Sequence, residues 1–511
     1  MDILAFILYF CIMLGIGIFF FFKSKSVTEK DYFLGGRQMG PWVTAMSAQA
    51  SDMSAWLLMG LPGSILAFGF GQAWIGIGLA IGTAANWILV AKRLRKFSKA
   101  SGDAITLPQY LSNRFASKGH AVSIICAIVF LVCFTIYVAS AFVAGADVFT
   151  TLIPTLNPET AMIIFALIVV TYTFLGGFNA VCWTDFFQGL LMLAALLIVP
   201  IVIGFTRNLD PAALTTIYQG PNGEEFKFVS DFFNASWQDI LSGLGWGLGY
   251  FGMPHIIVRF MAIEKPSMVK KSATVAIIWV ILSLGAAIVI AYLGRMFVYS
   301  NGTDLSEVLL GSGKQSLIFV ELAREVFPAF IAGLLLAAII AASMSTADSQ
   351  LLVAASSFSS DLYKPMIRPN ANNKEMLWVS RIVVLIIAVV AYFIASSEGE
   401  AAQAIMNLVS NAWGIFGAAF GPVVLLSLFW KRFTYKGAVS GIITGAAVDM
   451  LWLWLPVVAG KTLTALTGVY EIIPGFILGG IVAIIVTLID KTPSDEALAI
   501  FKKATDNSID D

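Results

Sequence analysis

The chain has 511 residues, of which 59% are hydrophobic and only 12% are charged. Water-soluble domains carry about 25% charged residues, so a soluble fold would have more apolar surface than its interior could bury. The formal net charge is zero at pH 7, which excludes a nucleic-acid-binding role for the bulk of the chain. The composition therefore predicts an integral membrane protein.

Apolar runs long enough to cross a bilayer recur along the whole chain. A transmembrane helix needs about 20 consecutive apolar residues, and the short alternating segments of a membrane β-barrel are missing from the sequence. We therefore predict an all-α membrane fold with about thirteen transmembrane helices, forming a single membrane domain over 1–511. The predicted spans are 3–22, 42–68, 72–91, 120–150, 160–178, 183–206, 236–258, 273–297, 317–359, 376–396, 402–430, 436–457 and 470–490.

The first run, 3–22, has no basic residues before it and no small-residue cleavage site after it. These features favour a retained extra N-terminal helix over a signal peptide. The residues after the last run, 491–511, are too few for a further soluble domain, and we predict that they form a cytoplasmic tail.

The second run departs from the Leu- and Ile-rich composition of the others. It reads AMSAQASDMSAWLLMGLPG over Ala45–Gly63, with small and hydroxyl side chains around Asp52. An ionisable side chain inside the membrane is costly, and it usually faces the interior of the bundle or a water-filled cavity. We predict that this helix is interrupted near Asp52.

The seventh run is the richest in glycine. It reads SGLGWGLGYFGMPH over Ser242–His255, with five glycines followed by Pro254. Glycine costs about 1 kcal/mol and proline about 3 kcal/mol in a helix interior, so a continuous helix is disfavoured. The alternative is that the glycines permit close packing of neighbouring helices.

The two interrupted runs open two blocks of five spans, 42–206 and 236–430. Five is an odd number, so the blocks run in opposite directions across the bilayer, as an inverted repeat requires. Breaks at matching positions of two halves are the best sequence indication of a transporter binding site. Two further helices, in 436–490, follow the second block.

The distribution of basic residues predicts the orientation. With the N-terminus outside, 25 of the 31 Lys and Arg residues fall in inner loops or the tail and 6 fall outside. Arg259 is counted among the inner-loop residues, between the seventh and eighth spans. The bias fits the positive-inside rule with the N-terminus outside and the C-terminus in the cytoplasm.

Eight segments carry a resemblance to a known family. They are LGGRQMGPW (34–42), ASDMSAWLLMGLPG (50–63), FTIYVAS (134–140), LGGFNAVCWTD (175–185), GWGLGYFGMPHI (245–256), AASMSTADSQLL (341–352), FGAAFGPVVL (416–425) and YEIIPGF (470–476). In these segments the sequence resembles the sodium:solute symporter family, and within it the bacterial carriers of proline. The resemblance implies a LeuT-like five-plus-five inverted-repeat core. It also implies uptake of L-proline together with sodium by alternating access. The expected location is the cell membrane, in particular the cytoplasmic membrane of a bacterium.

The resemblance also implies a sodium site between the second and ninth spans. Its ligands would be the carbonyls of Ala50, Met53 and Ala342 and the hydroxyls of Ser345 and Thr346. Sodium is a hard ion that prefers oxygen ligands, and the three residues of the ninth span lie at i, i+3 and i+4 on one helix face. The alternative for the two hydroxyls is hydrogen bonding to the preceding helical turn.

Three acids in apolar surroundings are candidates for cation coupling. By resemblance Asp52 governs sodium affinity, either as an anion near the site or by capping the broken backbone. Asp348, three residues beyond Ser345, could supply a second cation or proton site together with Asp185. It could equally form a hydrogen bond to a neighbouring helix.

A zwitterionic amino acid needs donors for its carboxylate and acceptors or π faces for its ammonium group. A half-helix N-terminus suits the carboxylate, and aromatic rings suit the ammonium group and an apolar pyrrolidine ring. The residues that match the family's substrate site are Ser54, Trp56, Tyr137, Trp246 and Tyr250.

Other functions remain open from the sequence. A relative in the same family could carry another solute, such as pantothenate, a sugar or a carboxylate. A channel or a non-transporting membrane sensor belongs to a different class. We see no catalytic constellation, and therefore expect no enzyme, no resident cofactor and no obligate protein partner; the ligands expected are sodium, L-proline and lipid.

Overall fold

A computed structural model describes residues 1–23, 28–117, 119–175, 177–219, 225–302, 314–397, 404–458 and 460–506. Within these ranges the fold is predominantly helical, and ten helices are long and apolar enough to cross a membrane. Two small antiparallel hairpins accompany them, pairing Ile217–Gln219 with Glu225–Lys227 and Pro456–Val458 with Lys461–Thr462. The prediction of a helical membrane fold is confirmed.

The helices of the first half are α1 Asp2–Lys23, α2 Glu29–Leu34, α3 Pro41–Asp52, α4 Leu61–Phe68, α5 Phe70–Ala85, α6 Lys92–Ala100, α7 Leu107–Arg114, α8 Ala121–Leu152, α9 Pro158–Leu175 and α10 Phe178–Thr206. Those of the second half are α11 Trp237–Gly245, α12 Pro254–Ala262, α13 Val269–Ser300, α14 Ile318–Val326, α15 Ala329–Ser356, α16 Asn373–Ser397, α17 Ala404–Phe429, α18 Tyr435–Trp454, α19 Leu463–Thr467, α20 Ile472–Ile489 and α21 Asp495–Thr505. A π-helical segment, Asn86–Ala91, joins α5 to α6, and another, Ser357–Ile367, extends α15.

The second predicted run is interrupted immediately after Asp52. Helix α3 ends there, and Met53 takes a non-helical conformation with φ −83° and ψ 77°. The Ser54 amide turns back to the carbonyl of Asp52 at 3.0 Å. Helical structure resumes as a π-helical turn, Trp56–Gly60, which leads into α4. The predicted break is confirmed, and it lies within the run of small residues.

The seventh run is also interrupted. Helix α11 tightens into a 3₁₀ segment, Trp246–Phe251, and Met253 is extended with φ −79° and ψ 108°. The residue before a proline is disfavoured in the helical region, and Pro254 begins α12 at a position where its missing amide costs nothing. This predicted break is confirmed as well.

The glycines of the seventh run also permit close packing, the alternative left open from the sequence. A Cβ atom on Gly243 would lie 2.6 Å from the Trp74 backbone, and one on Gly247 would lie 2.4 Å from the carbonyl oxygen of Gly78. Both contacts are with α5, whose own glycines face the 3₁₀ segment. The glycines of the seventh run therefore permit both the helix break and close backbone contact between this run and α5.

The ninth predicted run, 317–359, is not one helix. The short helix α14 ends at Val326, and α15 starts only after Phe327 and Pro328, both of which are extended. Proline cannot continue α14, because it lacks an amide hydrogen and its ring clashes with the preceding turn. The interruption limits the membrane-spanning part of this region to α15 and its extension.

The core of the fold is a group of helices that pack around the first break. Helix α10 contacts α3, α13 and α15, and α3 also contacts α13 and α15; α8 packs against both α15 and α17. Helix α16 presents apolar side chains to the surroundings, including Ile382, Leu385, Val389 and Phe393. Such a stripe is suited to lipid contact, whereas the residues of the core group are buried.

Candidate functional site

The two helix breaks meet at a hydrogen bond between buried side chains. Asp52 is the last residue of α3, and Tyr250 lies in the 3₁₀ segment of the other broken helix. The Tyr250 hydroxyl donates to Asp52 Oδ2 at 2.5 Å, and each side chain is almost completely inaccessible to solvent. The hydrogen bond provides the Asp52 carboxylate with a partner that an acid at this depth requires.

The candidate sodium ligands on α3 and α15 lie in direct contact. The Ser345 hydroxyl donates to the carbonyl of Ala50 at 2.8 Å and lies 3.1 Å from the carbonyl of Ala342. Thr346 Oγ1 is buried and has no hydrogen-bond partner among the described residues. Met53 is buried in the break that follows Asp52. Oxygen atoms therefore converge from both helices, and one of them lacks a partner, which suits a hard cation.

Aromatic rings surround the 3₁₀ segment. The Trp246 ring lies 6.3 Å from Trp56, 6.4 Å from Trp413 and 5.1 Å from Tyr470, measured between ring centroids. The Tyr250 ring meets Trp413 edge to face at 5.1 Å. Trp56, Trp246 and Tyr250 are thus brought together as the sequence predicts. The group combines rings from the 3₁₀ segment, α17 and the segment before α20 with one from the first break.

Trp413 and Tyr470 were missed by the sequence reasoning. Trp413 positions the break, because its indole nitrogen donates to the Trp246 carbonyl at 2.8 Å. Trp413 stands beside neither a break nor a charge in the sequence, and Tyr470 has only the adjacent Glu471, which does not separate it from the aromatic residues common at membrane interfaces. Only the packing of α17 and α20 on the 3₁₀ segment identifies them.

Tyr137 and Ser54 complete the predicted substrate group. The Tyr137 hydroxyl is buried, lies beside Ser54 and Trp56, and forms no well-aligned hydrogen bond within the described residues. The Ser54 hydroxyl accepts from the Trp56 amide at 3.4 Å. A free buried hydroxyl beside aromatic rings can offer a hydrogen bond to a small polar solute.

A cleft of about 530 Å³ leads to the aromatic group. Its lining includes the rings of Trp246 and Tyr470 and the acids Asp239 and Glu471. No lysine or arginine lines it within the described part of the chain. The cleft therefore gives small cationic or zwitterionic solutes a polar path to the rings.

The other two candidate acids lie in a separate buried cluster. The Asp185 carboxylate accepts from Ser47 at 2.7 Å and from the Arg259 guanidinium at 3.2 Å. Asp348 Oδ1 accepts from Ser349 at 3.3 Å, while Asp348 Oδ2 has no partner among the described residues. The structure thus places Asp185 and Asp348 together, and it separates both of them from the hydrogen bond formed by Asp52.

The prediction that Arg259 is an inner-loop charge is wrong. Arg259 lies in α12 and exposes 1% of its surface. It also donates to Ser47 at 3.1 Å and to the His255 carbonyl at 2.6 Å. A buried guanidinium is tolerated because an ion pair and several hydrogen bonds replace its hydration. No local feature of the sequence indicates its partner, since Asp185 is 74 residues away.

A second arginine network lies near the start of α3. Arg37 Nε donates to Asp103 Oδ1 at 2.8 Å, and other donors of Arg37 reach the carbonyls of Ala104, at 2.7 Å, and Met261. Lys30 also pairs with Asp103. Burial raises the pKa of Asp103, but the Lys30 hydrogen bond and the charges of Arg37 and Lys30 outweigh it and hold the pKa below its usual value. The network ties the segment before α3 to the α6–α7 loop and to α12.

The sequence profile of the sodium:solute symporter family matches residues 32–445 of this chain. The chain belongs to this family. Its members are sodium-coupled carriers of solutes rather than enzymes, so sodium is the co-transported ion. The chain is accordingly a multi-pass membrane protein.

Named relatives in the family match nearly the whole chain. The sodium/proline symporter of Haemophilus influenzae is 41% identical over 504 residues, which cover 98% of this chain and 97% of the relative. That of Escherichia coli is 41% identical, covering 96% and 94%. The high-affinity proline transporter PutP of Bacillus subtilis is 42% identical, covering 94% and 97%.

Two solved structures share the fold of this symporter. A Na⁺-coupled sialic acid symporter in a substrate-bound outward-open state superposes with a TM-score of 0.77 at 20% identity, covering 96% of this chain and 98% of the other. The nucleobase-cation symporter Mhp1 in a closed conformation gives a TM-score of 0.56 at 13% identity, covering 94% and 99%. These likenesses identify the architecture that carries the two broken helices.

Proposed function

We propose that this protein carries L-proline into the cell together with sodium, by alternating access. The observation that carries the proposal is the contact between the two broken helices, where the aromatic group lies beside Asp52 and the Ser345–Ala50 hydrogen bond. The full-length relatives named as sodium/proline symporters support proline as the solute. An ion and an apolar zwitterion could bind side by side there.

The proposed sodium site uses the carbonyls of Ala50, Met53 and Ala342 and the hydroxyls of Ser345 and Thr346. Its support is the approach of α15 to the end of α3, and the buried Thr346 hydroxyl without a partner among the described residues. When sodium binds, the Ser345 O–H would rotate away from the Ala50 carbonyl, and a lone pair of the hydroxyl oxygen would point at the ion. Binding would therefore tighten the junction between α3 and α15.

The proposed proline site is formed by Ser54, Trp56, Tyr137, Trp246 and Tyr250. Flat aromatic faces suit the pyrrolidine ring and attract the secondary ammonium group. The Tyr137 hydroxyl and the helix N-terminus that follows the first break suit the carboxylate. We infer that Trp413 and Tyr470 position Trp246 rather than contact proline themselves.

Asp52, Asp185 and Asp348 are proposed to couple the cation to the transport cycle. Asp52 would act through its hydrogen bond to Tyr250. Asp52 stands between the proposed sodium ligands Ala50 and Met53 in the chain, whereas Tyr250 belongs to the proposed proline site. Asp185 and Asp348 would act from the cluster that contains Arg259. The different partners of these acids support different roles.

We further propose thirteen transmembrane segments with the N-terminus outside and the C-terminus in the cytoplasm. Ten continuous helices, the two interrupted helices and the apolar helix α9 together give this number. The first repeat is 42–206 and the second 236–430; the extra helix 3–22 precedes them, and 436–490 with the tail 491–511 follows. The bias of basic residues supports the orientation.

The driving force is sufficient for accumulation. One charge that crosses a membrane potential of 100 mV releases about 2.3 kcal/mol, and a tenfold sodium gradient adds about 1.4 kcal/mol. One sodium ion per substrate would then support a proline gradient of about 500-fold.

Uptake of labelled proline into proteoliposomes tests this function. An inward sodium gradient should cause uphill accumulation, and dissipating the gradient should abolish it. Unlabelled proline should compete, whereas pantothenate, sugars and carboxylates should not. Downhill flux at channel-like rates, or accumulation of a different solute only, would refute the proposal.

A further inference from the structure

A surface groove lies beside the contact between helices α6 and α21. The two helices pack together, and Lys96 Nζ of α6 donates to the Asp506 carbonyl, at the end of α21, at 3.2 Å. The groove consists of two adjoining cavities of about 330 Å³ and about 300 Å³, and Lys96 and Ala504 line both of them. We call it the α6–α21 groove. It shares no lining residue with the cleft that leads to the aromatic group.

The α6–α21 groove is strongly basic. Seven lysine and arginine side chains line it within the described residues, against two carboxylates, those of Asp103 and Glu264. Asp103 is paired with Lys30 and Arg37, which do not line the groove. The lining therefore has an excess of positive charge, and its electrostatic potential favours an anionic occupant.

One of the basic residues, Arg95, is buried and exposes 3% of its surface. Its Nε and Nη2 atoms donate to the carbonyls of Ile263, at 2.6 Å, and Glu264, at 2.8 Å. Its Nη1 atom has no hydrogen-bond partner in the part of the chain that the structure describes. A buried cation without a counterion is unfavourable, so an anion in the groove would compensate the charge of Arg95.

The position of α6 in the bilayer indicates the kind of anion. The helical stretch Phe70–Ala100, which contains α5 and α6, has 31 residues. At 1.5 Å per residue it is about 46 Å long, whereas the hydrocarbon core of a bilayer is about 30 Å thick. A stretch of this length that crosses the core places its basic end, from Lys92 onwards, among the lipid phosphates.

The larger cavity also has an apolar wall. Ile88, Leu89 and Phe429 line it, and all three are exposed, Ile88 over 67% of its surface. Ile88 precedes Lys92 by about one helical turn, so the apolar wall lies on the hydrocarbon side of the lysines. An acyl chain suits the exposed apolar side chains, and basic pockets on the cytoplasmic side of membrane proteins bind phosphate headgroups. Inorganic phosphate would leave the apolar wall uncovered.

We propose that the α6–α21 groove binds one anionic phospholipid of the leaflet that surrounds α6, which is the cytoplasmic leaflet in the proposed orientation. The lipid phosphate binds to Lys92 and Lys96, which lie at i and i+4 on one face of α6. An acyl chain lies along Ile88 and Phe429. The bound lipid holds α21 against α6 and compensates the charge of Arg95.

Lipid binding to the purified full-length protein in detergent tests the inference. Native mass spectrometry should detect one bound phosphatidylglycerol per chain, held at least about tenfold more tightly than phosphatidylcholine, whose headgroup has no net charge. Inorganic phosphate and glycerol phosphate at the same concentration should not displace it, because they have no acyl chains. The measurement needs neither sodium nor proline, so its result does not depend on the proposed function.

Two double variants locate the lipid in the groove. Lys92→Gln with Lys96→Gln should weaken phosphatidylglycerol binding about 25-fold, since each basic residue near a lipid surface contributes about fivefold. Lys99→Gln with Lys265→Gln removes two exposed lysines that line the smaller cavity. It should also weaken binding, and it tests the groove if the first variant does not fold.

The matched control is Lys270→Gln with Lys271→Gln. It removes two exposed charges of α13 that do not line the groove. Because exposed charges at a distance are screened by salt, the control should bind phosphatidylglycerol within about twofold of the wild-type protein.

Four results would overturn the proposal. They are equal affinities for phosphatidylglycerol and phosphatidylcholine, unchanged binding in both groove variants, an equal loss of binding in the control, and displacement of the lipid by inorganic phosphate. The last result would show that the groove binds a free phosphate group. Failure of proline uptake in the proteoliposome experiment would instead refute the proposed substrate and leave these binding results unaffected.

Discussion

The Tyr250 hydroxyl donates a 2.5 Å hydrogen bond to Asp52 Oδ2 and so joins the two interrupted helices at their breaks. The two residues are 198 positions apart in the chain. Because both side chains are buried, a shift of either broken helix changes the partner of a carboxylate that water cannot easily reach. Through this hydrogen bond, sodium binding at the proposed ion site can change the position of Tyr250 in the proposed proline site.

Removal of the Tyr250 hydroxyl should weaken sodium binding. Tyr250→Phe retains the ring but leaves the Asp52 carboxylate without its donor, and a hydrogen bond to a charged group contributes about 1.5–3 kcal/mol. We expect the sodium concentration for half-maximal uptake to rise about 10- to 100-fold. Sodium-dependent proline uptake in proteoliposomes measures this, and normal sodium stimulation in Asp52→Ala would exclude a role for the pair.

Removal of two hydroxyl groups from α15 should weaken sodium binding more than proline binding. Ser345→Ala with Thr346→Ala removes two proposed ligands, and we expect the sodium requirement to rise at least about tenfold, a loss of about 1.4 kcal/mol, with little change in proline affinity at saturating sodium. Ser343→Ala is the matched control, because among the described residues the buried Ser343 hydroxyl donates only to the Ile339 carbonyl of its own helix. Equal effects in both variants would contradict the site.

Replacement of Trp246 should chiefly weaken proline binding. Trp246→Phe reduces the π face available to the ammonium group, a contact that contributes about 1–2 kcal/mol when desolvated, so the proline dissociation constant should rise about 5- to 30-fold. Trp87→Phe is the control, since Trp87 is equally buried but packs against Phe260. Scintillation proximity binding of labelled proline measures both, and an unchanged affinity in Trp246→Phe would refute its placement.

The Arg37 network should hold the segment before α3 in place. Arg37→Ala removes several hydrogen bonds made by a buried guanidinium, and we expect hydrogen–deuterium exchange of Glu29–Leu34 to accelerate at least about tenfold. Lys30→Ala should have a smaller effect, because the exposed ion pair that it breaks contributes only about 0–1 kcal/mol. Similar exchange in the two variants would argue against this role of Arg37.

The same network gives a pH dependence of known sign. The pKa of Asp103 is lowered in the folded protein. The contribution of its ionised carboxylate to the stability of the folded state is therefore complete above the ordinary carboxyl pKa, and it is lost as the pH falls through the lowered pKa. The protection factor of the Glu29–Leu34 amides, which is corrected for the pH dependence of intrinsic exchange, should therefore be constant near neutral pH and fall only in acid. Asp103→Asn should remove this acid-induced loss of protection.

The sequence predicted the breaks because their causes are local. Glycine, proline and a buried acid act on the backbone within a few residues, and they mark Asp52 and the glycine run around Trp246 without any tertiary information. The membrane class followed from composition for a similar reason, because the bilayer imposes the same requirement on every span. The interruption at Pro328 was missed, although it too has a local cause, because the apolar run on both sides of it concealed the break.

Side-chain partners required the tertiary structure. Arg259 looked like one of many inner-loop charges until α12 was seen to bury it against Asp185, and Trp413 and Tyr470 gave no sign of their contact with Trp246. The sequence alone determined that this is a helical membrane protein with two interrupted helices and which residues stand at the breaks. Only the tertiary structure decided that Tyr250 donates to Asp52 and that Arg259 pairs with Asp185, because such pairings depend on how helices distant in sequence pack together.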